Sequence, residues 1–106
     1  MTEFSIAIPA HDRGENGPKW MRELLDTLKN QSLQDFEVVI SDQSENDNIM
    51  EACQDYDFDF TYCKYTGNIP CENINVALEN CKGRIIKTMF SDDIFMRKDA
   101  LERIKY

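Results

Sequence analysis

The sequence contains no glycine-rich phosphate loop: neither G-x-G-x-x-G nor G-x-x-x-x-G-K-[ST] occurs in its 106 residues. Dinucleotide oxidoreductases and P-loop nucleotidases seat phosphates on such backbone cradles, so both classes are disfavoured. Long apolar runs are missing too. The longest are short, as in Val38-Val39-Ile40, far below the ~18–20 residues of a membrane-spanning helix. The opening Met1-Thr2-Glu3-Phe4 has neither a basic region nor an extended apolar core, so no secretory signal is expected. Basic residues are outnumbered, 12 against 20 acids, for a net charge of −8. Such a surface repels phosphate backbones and anionic lipid, so neither nucleic acid nor an anionic membrane is an expected partner. A small anionic ligand then needs a bridging cation or a local basic group.

Histidine occurs once, at His11, and the four cysteines at 53, 63, 71 and 81 include no C-x-x-C pair. A zinc site is not expected from that spacing. Free thiols in a reducing cytoplasm are expected instead, with Cys53, Cys63 and Cys81 as small core residues. With only 4 Gly and 3 Pro among ordinary globular composition, no stretch reads as low-complexity or long disorder. At this length a single domain is expected, with one modest core.

What is present is an alternation of strand-like and helix-like runs. Phe4 to Ile8 is short and apolar and meets Pro9, which lacks a ladder donor. Asn16-Gly17-Pro18 opens a helix whose apolar face is Trp20, Met21, Leu24, Leu25 and Leu28. Phe36 to Ser41 is nearly continuous in apolar character, as suits a parallel strand buried on both faces. A short helix is predicted over 48–54 and a mixed, edge-like strand over 58–65. Pro70 starts a third helix, with Ile74, Ala77, Leu78 and Cys81 inward and Gly83 as its cap. A fourth strand is predicted over 84–90, then a helix from about Arg97 with Ala100, Leu101 and Ile104 inward.

This alternation implies βαβ units and a parallel sheet. Ligands of such sheets bind beyond the carboxyl ends of the strands. The polar segments Pro9 to Gly17, Asp42 to Asp47 and Ser91 to Asp93 would all open on that rim. Asp92 and Asp93 repel each other, so in a cleft they would share a proton or hold a cation. Mg²⁺ and Mn²⁺ take such oxygen ligands together with phosphates; capping of the following helix is the competing explanation for the pair. Asp42 could accept hydrogen bonds from a base or ribose, or simply occupy a turn. Arg13 could meet a diphosphate or be solvated, and His11 could stack on a base. Asn75 has poor helix propensity inside a helix and needs another reason to be there.

Taken in order, these segments resemble family 2 glycosyltransferases. Phe4-Ser-Ile-Ala-Ile-Pro-Ala-His-Asp-Arg13 is similar to the S-I-I-I-P-T-Y-N-R opening of that family. Leu24 to Leu28, Gln31 and Phe36-Glu-Val-Val-Ile-Ser-Asp42 resemble L-x-S-L-x-x-Q … F-E-I-I-V-V-D, and Asp42 to Asp47 stands at D-D-G-S-T-D. Asn68 through Asn75 to Gly83 resembles N-x-G-x-S-x-A-R-N-x-G-I … A-x-G. The strand ending at Asp92-Asp93 resembles the one ending in the D-x-D or x-D-D metal motif. The likeness covers essentially the whole chain.

The resemblance implies a three-layer, Rossmann-like α/β domain of the GT-A type. Its mostly parallel sheet would have about four strands in the order 3-2-1-4, with helices on both faces. Residues 1–106 would form one minimal nucleotide-sugar-binding domain, without the family's acceptor-binding second half. The implied activity is inverting, metal-dependent transfer from a nucleoside-diphosphate sugar, with UDP-sugar the leading donor, to a sugar, lipid or protein acceptor. A non-catalytic donor-binding module and a plain α/β interaction domain are the alternatives. Pro9, Ala10, His11, Arg13, Asp42, Asn75, Ser91 and Asp92 would bind the nucleotide. Asp92 and Asp93 would hold Mn²⁺ or Mg²⁺, and Asp42 would recognise the base. The chain departs from the pattern where Phe90 replaces the first D of D-x-D, Gln43 and Ser44 replace D-G, and Ile74 replaces the arginine. No general base is assigned, and association through an exposed sheet edge is a further expectation.

Overall fold

The computed structural model describes residues 2–12, 16–67, 69–90 and 98–105. In chain order it contains β1 (Phe4–Ala10), α1 (Gly17–Lys29), β2 (Phe36–Asp42), α2 (Asn48–Cys53), β3 (Asp59–Lys64), α3 (Pro70–Glu79), β4 (Ile85–Thr88) and α4 (Ala100–Lys105). The four strands form one sheet in the order β3-β2-β1-β4, parallel throughout. Both the α/β class and the strand order match expectation, and the mixed alternation of β3 does mark an edge.

β1 and β2 are buried along their whole length, which is why they carry apolar residues on both faces. Phe4, Ile6 and Ile8 of β1 and Phe36, Val38 and Ile40 of β2 point to one side. There they meet Met21, Leu24, Leu25 and Leu28 of α1, Ile49 and Cys53 of α2, and Leu101 of α4. The opposite side is smaller: Ala7 and Val39 pack against Ala77, with Leu78 and Cys81 partly covered. α3 therefore lies close to the sheet through small residues, while α1 stands off on leucines.

Several boundaries differ from the sequence reading for identifiable reasons. β1 continues through Pro9, which pairs in register with Ser41. Odd-numbered β1 residues direct their backbone groups toward β4, as in Met89 N–H to the Ala7 carbonyl at 2.9 Å. The described pairing with β4 ends at Thr88 opposite Ala7, so the proline removes no bond from that ladder. α3 stops at Glu79, and the Asn80 side chain donates back to the Val76 carbonyl at 2.8 Å. Gly83 does not cap the helix. A Cβ there would lie 2.6 Å from the Phe4 carbonyl carbon and the Ser5 nitrogen, so glycine permits close approach to β1. Among the described side chains of α4 only Leu101 is fully inward: Ala100 is half-buried and Ile104 is exposed.

Candidate functional site

Because the strands are parallel, β1, β2 and β3 bring Ala10, Asp42 and Lys64 to the same rim, in register with one another. An open depression of about 610 Å³ lies there, lined by His11, Gln43, Ser44, Glu45, Lys64, Tyr65, Thr66 and Gly67. It spans the ends of three strands, as ligand sites of open parallel sheets do.

The walls of the depression are tied together by two carboxylates. Asp12 accepts from the Gly17 N–H at 2.9 Å, satisfying a free donor of the first turn of α1. Its other oxygen accepts from Asn46 Nδ2 at 3.3 Å and Asn48 Nδ2 at 3.2 Å, and its own N–H donates to Ser44 Oγ at 2.7 Å. The β1–α1 and β2–α2 loops are thereby joined. Asp42 is fully buried. Its Oδ1 accepts from the Ser44 N–H at 2.9 Å, and its Oδ2 accepts from the Tyr62 hydroxyl with Lys64 Nζ 3.7 Å away. Burial, then the bond to Asp42, pushes the Tyr62 hydroxyl up, so Tyr62 keeps its proton and acts as the donor. Lys64 Nζ also donates to the Ser44 carbonyl at 2.7 Å and to that of Asn46.

On the α3 side, buried Asn73 accepts from Ser41 Oγ at 2.5 Å and donates to the Ala10 carbonyl at 3.3 Å. Gln43 N–H donates to the same carbonyl at 2.9 Å. The Tyr65 hydroxyl donates to Glu72, and Gln43 Nε2 donates to the Gly67 carbonyl at 3.2 Å.

Of the residues singled out in the sequence, Pro9 and Ala10 are buried at the end of β1, His11 borders the depression, and Asp42 lies beneath it. Asn75 is exposed on α3, and the asparagine that reaches the rim from this helix is Asn73. Arg13, Ser91, Asp92 and Asp93 lie outside the described residues. Among the described residues no cluster of three His, Cys, Asp or Glu side chains could hold a metal ion. Sequence reasoning missed Asp12, Tyr62 and Lys64 as rim residues. Lys64 carried a usable signal, a cation placed where an edge strand meets a polar loop.

The model of glycosyl transferase family 2 matches residues 5–105. The chain belongs to this family. Among solved structures, S. aureus TarS 1–349 in complex with UDP is similar at 27% identity and a TM-score of 0.80, over 98% of this chain and 31% of that one. S. aureus TarS itself gives the same identity and TM-score over 19% of its length. The mannosyltransferase PcManGT from Pyrobaculum calidifontis, in complex with GDP-Man and Mn²⁺, has 21% identity and a TM-score of 0.79. It is matched over 93% of this chain and 30% of that one, and shares the fold. No curated protein matches the chain. The chain thus spans less than a third of the solved relatives it resembles. Its described sheet and helices correspond to the GT-A arrangement of those enzymes.

Proposed function

We propose that the chain binds a nucleoside-diphosphate sugar, UDP-sugar first among the donors, and serves inverting glycosyl transfer to a sugar, lipid or protein acceptor. The observation that carries this reading is the rim depression at the ends of β1, β2 and β3 in a family 2 domain. Its lining offers the rings of His11 and Tyr65, the hydroxyls of Ser44 and Thr66 and the amide of Gln43, which suit a nucleoside. TarS in complex with UDP and PcManGT in complex with GDP-Man support a nucleotide as the ligand class.

In this reading His11 faces the nucleotide, Pro9, Ala10 and Asp42 support the pocket from beneath, Arg13, Asn75 and Ser91 complete the nucleotide contacts, and Asp92 lies under the diphosphate. Asp92 and Asp93 follow β4 in the chain, and their carboxylates are the hard oxygen donors that Mn²⁺ or Mg²⁺ takes. A metal held there supplies Lewis-acid neutralisation of the departing diphosphate. On a surface of net charge −8 that cation is also what makes an anionic donor electrostatically acceptable.

A donor-binding module that transfers nothing is the second reading. It is favoured by Phe90, half exposed where the D-x-D pattern places its first acid. We place the protein in the cytoplasm, where its free cysteines would stay reduced. Self-association through the β4 edge, beside exposed Ile86, is a subordinate part of the proposal.

Calorimetric titration with UDP, GDP and dTDP, with and without Mn²⁺, tests donor binding. UDP is expected to bind with Kd on the order of micromolar to millimolar, the usual range for enzyme substrates. In Mn²⁺, Asp92→Ala should weaken binding by about tenfold or more, on the order of one lost charge-assisted contact. Absence of heat with every nucleotide would overturn the reading. Persistent metal dependence in Asp92→Ala would move the metal elsewhere. Release of UDP from UDP-sugars over an acceptor set then separates enzyme from module.

A further inference from the structure

Asp42 presents a contradiction between its expected role and its surroundings. A side chain that reads a base must offer an oxygen to the pocket, yet Asp42 has no exposed surface. Both of its oxygens already accept protein donors: Ser44 N–H on one, and Tyr62 hydroxyl on the other. The Tyr62 donor and the Lys64 cation come from the adjacent strand by register. Asp42 pairs directly with Lys64, and Tyr62 lies two residues earlier on the same face of β3. A base N–H could reach this carboxylate only by displacing Tyr62 or the loop.

Lys64 extends the arrangement to the loop itself. Its ammonium donates to the carbonyls of Ser44 and Asn46, and lies between Asp42 at 3.7 Å and Asp47 at 3.8 Å. Residues 43–47 are thus held from below by one cation and from within by one carboxylate. Gln43, Ser44 and Glu45 of that loop form a wall of the depression.

We infer that Tyr62 and Lys64 are positioning residues for this site: with Asp42 they brace the 43–47 loop in the shape that receives a nucleoside, and Asp42 acts through the brace without touching the base. This deepens the nucleotide-binding reading and rests on it for its functional part. Gln43, next in the chain, lines the depression while its Nε2 donates to the Gly67 carbonyl at 3.2 Å.

Two measurements on the full chain test the inference. In the first, uridine, UDP and CDP are titrated against the parent protein, Tyr62→Phe, Lys64→Met and Lys64→Arg. Each of Tyr62→Phe and Lys64→Met should weaken all three ligands by a common factor of about tenfold, the size of one lost buried hydrogen bond. The UDP to CDP preference should stay unchanged, and Lys64→Arg should restore most of the affinity. A changed preference between UDP and CDP in Tyr62→Phe would mean that the released Asp42 reads the base, and would overturn the inference. A Lys64→Met loss confined to UDP and CDP, sparing uridine, would also overturn it, because Lys64 would then be a phosphate contact.

The second measurement needs no ligand: amide hydrogen exchange at Ser44, whose N–H is held by Asp42, and at Asp12, whose N–H is held by Ser44. In Tyr62→Phe and Lys64→Met these amides should exchange about tenfold faster or more, while those of β1 stay protected, as expected for a locally loosened loop. Unchanged loop exchange would overturn the brace even if nucleotides bind. If the parent protein binds no nucleotide but the loop exchange rises as stated, the nucleotide reading fails and the brace stands.

Discussion

At the scale of single residues, the polar groups buried against α3 show how little freedom the chain leaves. Glu37 is buried and accepts from Ser5 Oγ at 2.5 Å and from the Lys82 N–H at 2.6 Å, while Gly83 N–H donates to Ser5 Oγ at 2.7 Å. One carboxylate and one hydroxyl therefore hold the turn entering β4 at the amino end of the sheet. Gly83 lies against β1 in this turn, and the room for a methyl group is taken by backbone, which cannot rotate away. Gly83→Ala should cost about 1–3 kcal/mol, the typical penalty of overpacking, and chemical denaturation would read it. A midpoint equal to that of the parent would show that the turn can shift. From sequence Gly83 reads as a helix cap because glycine after a helical run usually is one; the close approach needs β1 in place.

Among the elements, α4 depends most on a single distant side chain. Its Leu101 N–H, one of the free donors of a first helical turn, is satisfied by Gln31 Oε1 at 3.1 Å in a buried bond. Ser32 N–H to the Lys98 carbonyl at 2.6 Å and Ser32 Oγ to Glu102 at 3.2 Å complete the attachment. Gln31 is thus the clamp between the end of α1 and the start of α4. Replacement by Ala leaves a buried N–H without its acceptor, at about 1–3 kcal/mol. The expected signature is local: faster amide exchange over 98–105, with β1 and β2 protected. Equal loss of protection throughout would show that α4 belongs to the central cooperative unit.

For the whole molecule, the helices on both faces pack against the same β1–β2 pair, so one unfolding transition is expected by every probe. Its dependence on pH follows from the core thiol. Burial, then the charge of Asp42, pushes Cys53 from 9.0 up to about 12. Tyr56 rises from 10.0 to about 12 through burial and its bond to Asp26. Both groups stay protonated in the folded chain after the unfolded chain has begun to release its protons. Their contribution to stability is therefore intact below pH 9 and is lost as pH climbs from 9 toward 12. Denaturation midpoints should be flat from pH 7 to 8.5 and fall steadily above 9. A midpoint unchanged at pH 10.5 would contradict the burial of Cys53.

The sequence by itself determined the α/β class and the parallel sheet, and the family resemblance of its ordered motifs implied the strand order. Class and parallel pairing follow from patterns that are local or nearly so: alternating runs, apolar strands without breaks, and polar segments after the first, second and fourth strands. It did not determine which side chains of the rim face a ligand. Asp42 reads as a free acid at a strand end, and only the pairing with β3 shows Tyr62 and Lys64 occupying it. Asn75 reads as the functional asparagine by motif, yet the helix turns Asn73 toward Ser41 and Ala10. Such assignments depend on hydrogen bonds between residues 20 to 63 positions apart. A linear pattern records that a polar residue is present; the partner that takes up its bonding capacity is chosen only when the strands lie side by side.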